Sequence, residues 1–481
     1  MKRTLHDAAQ AVGGTLTSGT LTSGTPTSGT ASAGAASGAD LNFAAVSSDS
    51  RTLQPGALFV ALRGPNFDGA EFVAAAHAAG AAGALVERRM PVPLTQIVVP
   101  DALRALQQLA MAWRAEFDLP IVGVAGSNGK TTAKEMTAAI LSRRGACMAT
   151  LGNLNNHIGV PLTLMRLEPG FGSAVVEMGA NRIGDVAELV RLVRPTVGLI
   201  TNAGAEHLEG FGDLDGVAKG EGEMVAGLEP KATAVINADD PYAGYWRSIS
   251  GARRALTFGV HGTADFMAKN IAQSIESGEF VSRFTLHCPL GERPILLKAG
   301  GAHNIANALA AAAAASAAGA SLEDIASGLA NFRPVSGRLQ LKAGTRGSWI
   351  IDDSYNANPS SVRAGLEVLR SLSGVTWLVL ADMAELGEHT TDSHAHMGSY
   401  ARDCGVKRLF AMGPQSCRAV ETFGAGGEWF AEADALIRRL QTELSAGVTV
   451  LIKGSRVNRL ERVVQALTGG GTASGHPMRA G

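Results

Sequence analysis

The chain has 481 residues, 46% apolar and 18% charged, enough apolar material for about three packed domains at roughly 100–200 residues each. Lys plus Arg (42) almost equals Asp plus Glu (43), a net charge of −1, which leaves no basic field for a nucleic-acid backbone or an anionic membrane surface. The four cysteines (Cys147, Cys288, Cys404, Cys417) form no CxxC pair and no cluster with histidine, which argues against a zinc site or a disulfide framework and fits a reducing compartment.

Met1-Lys2-Arg3 could open a signal peptide, but His6, Asp7 and Gln10 interrupt any apolar core for one. The longest stretch without charge, Ala308–Ala320, is alanine-dominated and falls short of the ~20 residues needed to cross a bilayer. A soluble, cytoplasmic protein with no membrane insertion is expected. Residues 15–40 are almost wholly Thr, Ser, Gly and Ala with a repeated TSGT, so they read as a solvated insert; residues 469–481 read as a flexible tail.

Residues 41–119 carry short strand-like runs (Ala57–Leu62, Ile97–Val99) and an alanine-rich helix near Phe72–Ala82. After Pro120 the pattern changes. The runs Ile121–Ala125, Ala174–Glu177, Val197–Thr201 and Ala234–Asn237 lack in/out alternation and are separated by helical stretches, as strands of a parallel sheet covered on both faces are. Residues 253–297 predict further strands, and His303–Ala318 a long helix that Gly319 stops. Past Arg333-Pro334, buried strands at Trp349–Ile351, Trp377–Leu380, Leu409–Met412 and Val448–Ile452 predict a second doubly wound unit. The fold class is therefore α/β with three domains: N-terminal at 1–119, central at 120–335, C-terminal and Rossmann-like at 336–468.

The strongest local signal is Gly123-Val124-Ala125-Gly126-Ser127-Asn128-Gly129-Lys130-Thr131-Thr132, between a buried strand and a predicted helix at Ala133–Ser142. Glycines there let backbone N–H groups turn inward around phosphate oxygens, and the helix N-terminus adds partial positive charge. Lys130 then reaches the β- and γ-phosphates and the Thr131 hydroxyl a magnesium ion. The strict pattern wants glycine at Val124, and the competing reading is a glycine-rich turn with a decorative lysine.

Other polar groups end predicted strands, where ligands of open α/β sheets sit. Glu177 and His207 could converge on the phosphate loop, or be surface and capping groups. Asn153, Asn155 and Asn156, in an amide-rich run, could hold a substrate or simply bond one another. Asp352 to Pro359 could hold ribose hydroxyls or a substrate amine, or cap the next helix. Lys453 and Arg456 could hold a carboxylate or phosphate, or be ordinary cations.

Taken together and in this order, these pieces resemble the Mur ligase family, and within it the branch that adds D-alanyl-D-alanine. The resemblance runs from about Val46 to about Leu467. It is carried by Ser47 to Arg51, Phe59 to Gly64, Asn66 to Gly69, Gly126 to Thr131, Gly152 to Asn156, Glu177 to Asn181, His207 to Gly212, His303 to Ala308, Gly337-Arg338, Asp353 to Asn358, Asp382 to Gly387 and Lys453 to Arg456. The family loop reads T-G-x-x-G-K-T/S, which accounts for Val124 and puts Ala125 at the leading threonine. The Asp-Ser-Tyr-Asn-Ala-Asn-Pro and Asp-Met-x-Glu-Leu-Gly strings are similar to the D-alanyl-D-alanine-adding branch.

The resemblance implies a central P-loop ATPase-like parallel sheet flanked by an N-terminal UDP-binding α/β domain and the C-terminal ligase domain. It implies ATP and two Mg²⁺ ions as cofactors, UDP-N-acetylmuramoyl-tripeptide and D-alanyl-D-alanine as substrates, and a monomer. Ser48, Ser50, Arg51, Gly64, Asn66 and Asp68 would hold the UDP end. Ala125 to Thr131 would bind ATP, with Asn304 and Asn307 on the adenine side, Arg338 on phosphate and Asp353 on ribose. Asn153, Asn155, Asn156, Tyr355, Asn356, Asn358, Lys453 and Arg456 would line the substrate path. Thr131, Glu177 and His207 would serve magnesium. Family members place a carbamylated lysine about fourteen residues after that histidine; Glu221 stands there and carries a carboxylate directly, with Lys219 as the alternative and a merely solvated Glu221 as the plain reading. A sibling ligase adding another amino acid, a folate-type polyglutamate ligase and a nucleotide-gated switch remain as alternatives.

Overall fold

The computed structural model describes residues 3–18, 41–251 and 253–469. The greater part of the low-complexity insert (19–40) and the tail from 470 onward lie outside the described residues. By contact the chain forms two units, one of Met1–Pro120, Ala146–Met178 and Glu188–Arg194, the other of Ile121–Gly145, Gly179–Ala187 and Pro195–Gly481.

The first unit is built on a five-stranded sheet in the order Thr15–Thr17, Gln96–Val98, Gly83–Val86, Ala57–Val60, Ala45–Ser47, parallel except for its first strand. Thr15–Thr17 corrects the sequence reading, which assigned it to the insert. It pairs antiparallel with Gln96–Val98, and the Thr17 hydroxyl donates to the Gln96 carbonyl at 3.2 Å. Three residues of Thr-Leu-Thr alternation sit at the start of a biased composition that hides them. Phe59, Val73, Ala84, Val86 and Leu94 fill one face of the sheet. Helix Leu5–Val12 is fixed by a reciprocal capping box between Thr4 and Asp7. A hairpin, Arg63–Gly64 with Phe67–Asp68, stands apart from the sheet, and a parallel pair, Cys147–Ala149 with Ser173–Glu177, completes the unit.

In the second unit, strands Ile121–Ala125, Val197–Ile200, Thr233–Asn237, Arg254–Gly259 and Phe266–Glu276 run parallel in that order. Glu279–Cys288 and Gly291–Leu297 extend them as an antiparallel meander. The expected long helix spans Ala302–Ala317, and Gly319 follows at φ +94. It packs on helix Lys130–Leu141 and on the strands of this sheet, and from Ala308 to Ala315 every residue is at most 1% exposed. Among the described residues no helix is long and apolar enough to cross a membrane.

The same unit holds a six-stranded sheet, Gln340–Ala343, Trp349–Asp353, Val448–Lys453, Val375–Ala381, Arg408–Met412 and Gly427–Phe430, parallel apart from its first strand. Both faces are covered. Ile351, Leu378, Leu409 and Leu451 pack on one side with helix residues Val362, Leu366 and Met397, while Ile350, Val379, Phe410 and Val450 pack on the other with Leu436, Leu440 and Val463. That two-sided burial is why these strands read as unbroken apolar runs.

Candidate active site

The phosphate loop follows strand Ile121–Ala125 and opens helix Lys130–Leu141, so that the Thr131 hydroxyl and the helix N-terminus share one end of the sheet. Gly126 takes φ +117 and Gly129 φ +84, conformations that side-chain-bearing residues rarely adopt. The loop is scaffolded from the next strand end. The Ser127 N–H donates to the Asn202 carbonyl at 2.9 Å, and the Asn128 N–H to Asn202 Oδ1 at 3.0 Å. Thr201 Oγ1 and Asn202 Nδ2 both donate to the Asn128 carbonyl, at 2.7 and 2.9 Å. Lys130 folds back along the loop, donating from Nζ to the carbonyls of Gly126 (2.6 Å) and Ser127 (3.0 Å).

Two carboxylates reach this loop. Glu221, on helix Leu214–Ala226 and 3% exposed, accepts the Gly126 N–H on Oε2 at 2.6 Å. Burial pushes its carboxyl up to about 7, against the pull of Lys130 and of that hydrogen bond. Lys219, two residues earlier on the same helix, is exposed and faces away. Glu206 places Oε2 3.8 Å from Lys130 Nζ and pairs through Oε1 with His207 Nε2 at 3.2 Å. Burial works against charge on Glu206, but Lys130, His207 and Arg338 outweigh it and hold the carboxyl below its usual range. His207, at φ +50, is bracketed, with Nδ1 2.5 Å from Glu385 Oε2. Its own burial disfavours the imidazolium, yet hydrogen bonds to Glu206 and Glu385, and their charges, raise it to about 9.

Arg338 donates from Nη2 to Thr131 Oγ1 at 2.9 Å and lies over the Tyr355 ring at 4.3 Å. Its Nε is buried with no hydrogen-bond acceptor among the described residues. Asn304 donates to the Gly300 carbonyl and accepts from Asn307 Nδ2 at 3.3 Å, and Asn307 Oδ1 sits against the Cα of Gly129. Asn358 caps helix Pro359–Arg370 with Oδ1 and donates from Nδ2 to Asn128 Oδ1 at 2.9 Å. Lys453, 3% exposed, donates to Asp353 Oδ2 (2.6 Å) and to the Asn356 carbonyl (3.0 Å), while Asp353 Oδ1 accepts the Leu339 N–H. Arg456 faces solvent and pairs with Glu461 at 3.3 Å.

The first unit carries the remaining sequence candidates. Glu177 ends its strand 2% exposed; Oε1 accepts Asn155 Nδ2 at 2.8 Å and its N–H donates to Thr150 Oγ1 at 3.0 Å. Asn156 Oδ1 accepts the N–H groups of Ile158 and Gly159 at the start of helix Gly159–Leu164, and Asn153 is exposed. Arg51 grips Asp49 through Nε and Nη2, which with the Arg51 N–H holds that carboxyl down at about 2. Asp68 caps the turn at Ala70 and bonds Arg88 at 2.7 Å; Ser48, Ser50 and Gly64 are half-buried and Asn66 is exposed.

Glu206, Glu385, Thr201 and Asn202 were not singled out from the sequence. Glu206 adjoins His207 and Glu385 lies within Asp382 to Gly387, so their neighbours in the sequence were the signal. The donors around the loop suit magnesium. They are carboxylates, a hydroxyl and one imidazole, and Glu206 Oε2 is buried with no hydrogen-bond donor among the described residues. Among the described residues no three His, Cys, Asp or Glu side chains form a cage by themselves, so such an ion would take phosphate and water oxygens as well, the habit of Mg²⁺.

Family profiles described as Mur ligase family, catalytic domain, as Mur ligase middle domain, and as Mur ligase, glutamate ligase domain match residues 42–114, 124–315 and 337–456. The UDP-N-acetylmuramoyl-tripeptide–D-alanyl-D-alanine ligase of Escherichia coli K12 is 44% identical over 438 residues, 90% of this chain and 96% of that protein. The crystal structure of MurF from Acinetobacter baumannii superposes with a TM-score of 0.86 at 32% identity, covering 96% of this chain and 98% of that one. The Thermotoga maritima MurF ligase in complex with ADP gives a TM-score of 0.77 at 26% identity, over 88% and 96%. With relatives this similar along nearly its whole length, the chain belongs to the Mur ligase family.

Proposed function

We propose that this enzyme uses ATP to join D-alanyl-D-alanine to UDP-N-acetylmuramoyl-tripeptide, forming an amide, ADP and phosphate. The observation that carries the reading is 44% identity across 90% of the chain to a ligase named for that reaction. Because ATP and the nucleotide-linked precursor are cytoplasmic compounds, the proposal includes work in the cytoplasm, and it takes a single chain as the working unit.

Chemically the difficulty is charge. The tripeptide carboxylate must approach the γ-phosphorus, which is itself surrounded by anionic oxygen. A carboxylate oxygen attacks that phosphorus and the bond to ADP breaks, leaving an acyl phosphate. The amine of D-alanyl-D-alanine then attacks the acyl carbon, the C–O bond breaks, and phosphate departs as the nitrogen loses its proton. Lys130 and Arg338 hold phosphoryl oxygen, and the loop N–H groups orient it. Thr131, His207, Glu206 and Glu221 would hold magnesium, which would neutralise phosphoryl charge, and Glu177 would have the magnesium role that the family resemblance gives it. Asn304 and Asn307 support the loop from behind Gly129 while serving the adenine side. Asp353, held by Lys453, serves the ribose. Ser48, Ser50, Arg51, Gly64, Asn66 and Asp68 take the UDP end. Asn153, Asn155 and Asn156 of the first unit would bind substrate, as would Tyr355, Asn356, Asn358, Lys453 and Arg456 of the second.

Mass spectrometry of reactions containing ATP, UDP-N-acetylmuramoyl-tripeptide and one amine tests the proposal. D-alanyl-D-alanine should give the pentapeptide product, and meso-diaminopimelate, L-lysine and L-glutamate should give none. Product with one of those three and not with D-alanyl-D-alanine would overturn it.

A further inference from the structure

One amide and the lysine of this loop already have carboxyl partners from the chain itself. The Gly126 N–H, at the start of the loop, is held by Glu221, and Lys130 lies 3.8 Å from Glu206 while donating to loop carbonyls. Both carboxylates are largely shielded from water, so a bare polyphosphate entering here must displace one and lie beside the other. Like charges at such range in a partly dry site repel strongly. A divalent cation arriving with the nucleotide reverses the sign, because the same two carboxylates then face positive charge.

We propose that Glu206 and Glu221 together make this phosphate loop select nucleotide that carries a divalent cation and reject nucleotide that does not. The inference rests on the nucleotide-binding reading of the loop. Glu221 acts at the amide end and Glu206 at the lysine end, so each contributes and neither alone closes the loop to free phosphate. Glu206 also keeps the His207 ring in place, which links the lysine to the Glu385 strand end.

Calorimetric titration of ADP, in EDTA and in saturating magnesium, tests it on the full chain, beside Glu206→Gln and the Glu206→Gln/Glu221→Gln pair. The unsubstituted protein should bind ADP at least about tenfold more tightly with magnesium than in EDTA. In the double variant, ADP in EDTA should bind about tenfold or more tighter than it does to the unsubstituted protein, and the magnesium gain should shrink to about threefold or less. Loss of two structural supports would instead weaken binding under both conditions. Should the double variant fail to fold, Glu206→Gln alone should tighten metal-free ADP by about threefold. Metal-free ADP binding no tighter in the folded variants overturns the proposal. No binding of ADP to the unsubstituted protein in magnesium overturns the nucleotide reading, and this inference with it.

Discussion

Gly126→Ala puts the loop architecture to its hardest test. An added Cβ would press into Thr201 Oγ1 and stand 2.8 Å from the Thr201 nitrogen and 3.0 Å from the Asn202 nitrogen. Those atoms belong to the segment that scaffolds the loop, and backbone cannot step aside as the tip of a lysine can. The residue would also have to hold φ +117, a strain of roughly 1–3 kcal/mol, and overpacking adds about 1–3 more. The expected loss is roughly 2–6 kcal/mol, a large share of the 5–15 typical of a whole domain, so the loop is expected to relax and carry the Gly126 N–H away from Glu221. Gly145→Ala is the control. Gly145 takes φ +149 with nothing within 4 Å of its added Cβ, so it feels the backbone term alone. Urea unfolding should show the larger loss in Gly126→Ala, and ADP titration in magnesium should show binding lost there and kept in Gly145→Ala. Equal stability losses with ADP binding retained in both would refute the reasoning.

Lys130→Ala should remove ligation in a chain that still gives the circular dichroism of a folded α/β protein, because phosphoryl charge loses its main protein cation; near-normal turnover in the folded variant would count against the phosphate-loop assignment. Asn358→Ala should lower stability by about 1 kcal/mol through its lost helix cap and release Asn128 as well, read as a drop in the urea midpoint; an unchanged midpoint would show that solvent replaces the cap. His207, raised from 6.5 to about 9 in the folded protein, contributes stability that is complete below pH 6.5 and is lost as pH rises through 9. In EDTA, His207→Gln should therefore be less stable than the parent by about 1–2 kcal/mol near pH 6, allowing for partial exposure, with the gap closing by pH 10. A pH-independent gap would mean that the ring acts by packing alone.

Strands buried on both faces were legible because their apolar runs need no partner to be recognised, and the phosphate loop because strand, glycines, lysine and helix are contiguous. Thr15–Thr17 escaped because three residues cannot outweigh the composition that follows them. The scaffold of the loop escaped for a different reason. Thr201 and Asn202 lie more than seventy residues from Asn128, and their use depends on two strands lying side by side. Glu206 gained a role only from the fold that brings it to Lys130. The bonds that Asn156 Oδ1 accepts from the Ile158 and Gly159 N–H groups likewise depend on how the chain turns there, which the amide-rich run does not display. The residues that resemblance pointed to lie mostly near strand ends, which a sequence does display. Their hydrogen-bond partners are set by packing, which it does not.

The alanine helix at Ala302–Ala317 has an asymmetry of its own. A core built from leucine and phenylalanine fails mainly when atoms are removed, since voids are left behind. Along Ala310 to Ala315 almost nothing can be removed, and almost nothing can be added: each methyl group works as a shim that sets how near helix Lys130–Leu141 may approach the sheet. Small side chains bring little hydrophobic transfer free energy apiece, so close contact between backbones carries more of the cohesion. One turn of this spacer ends in Asn307, seated on Gly129. A valine or leucine in place of one of Ala310 to Ala315 would therefore register at the mouth of the phosphate loop, as a change in fit one or two turns from the substitution.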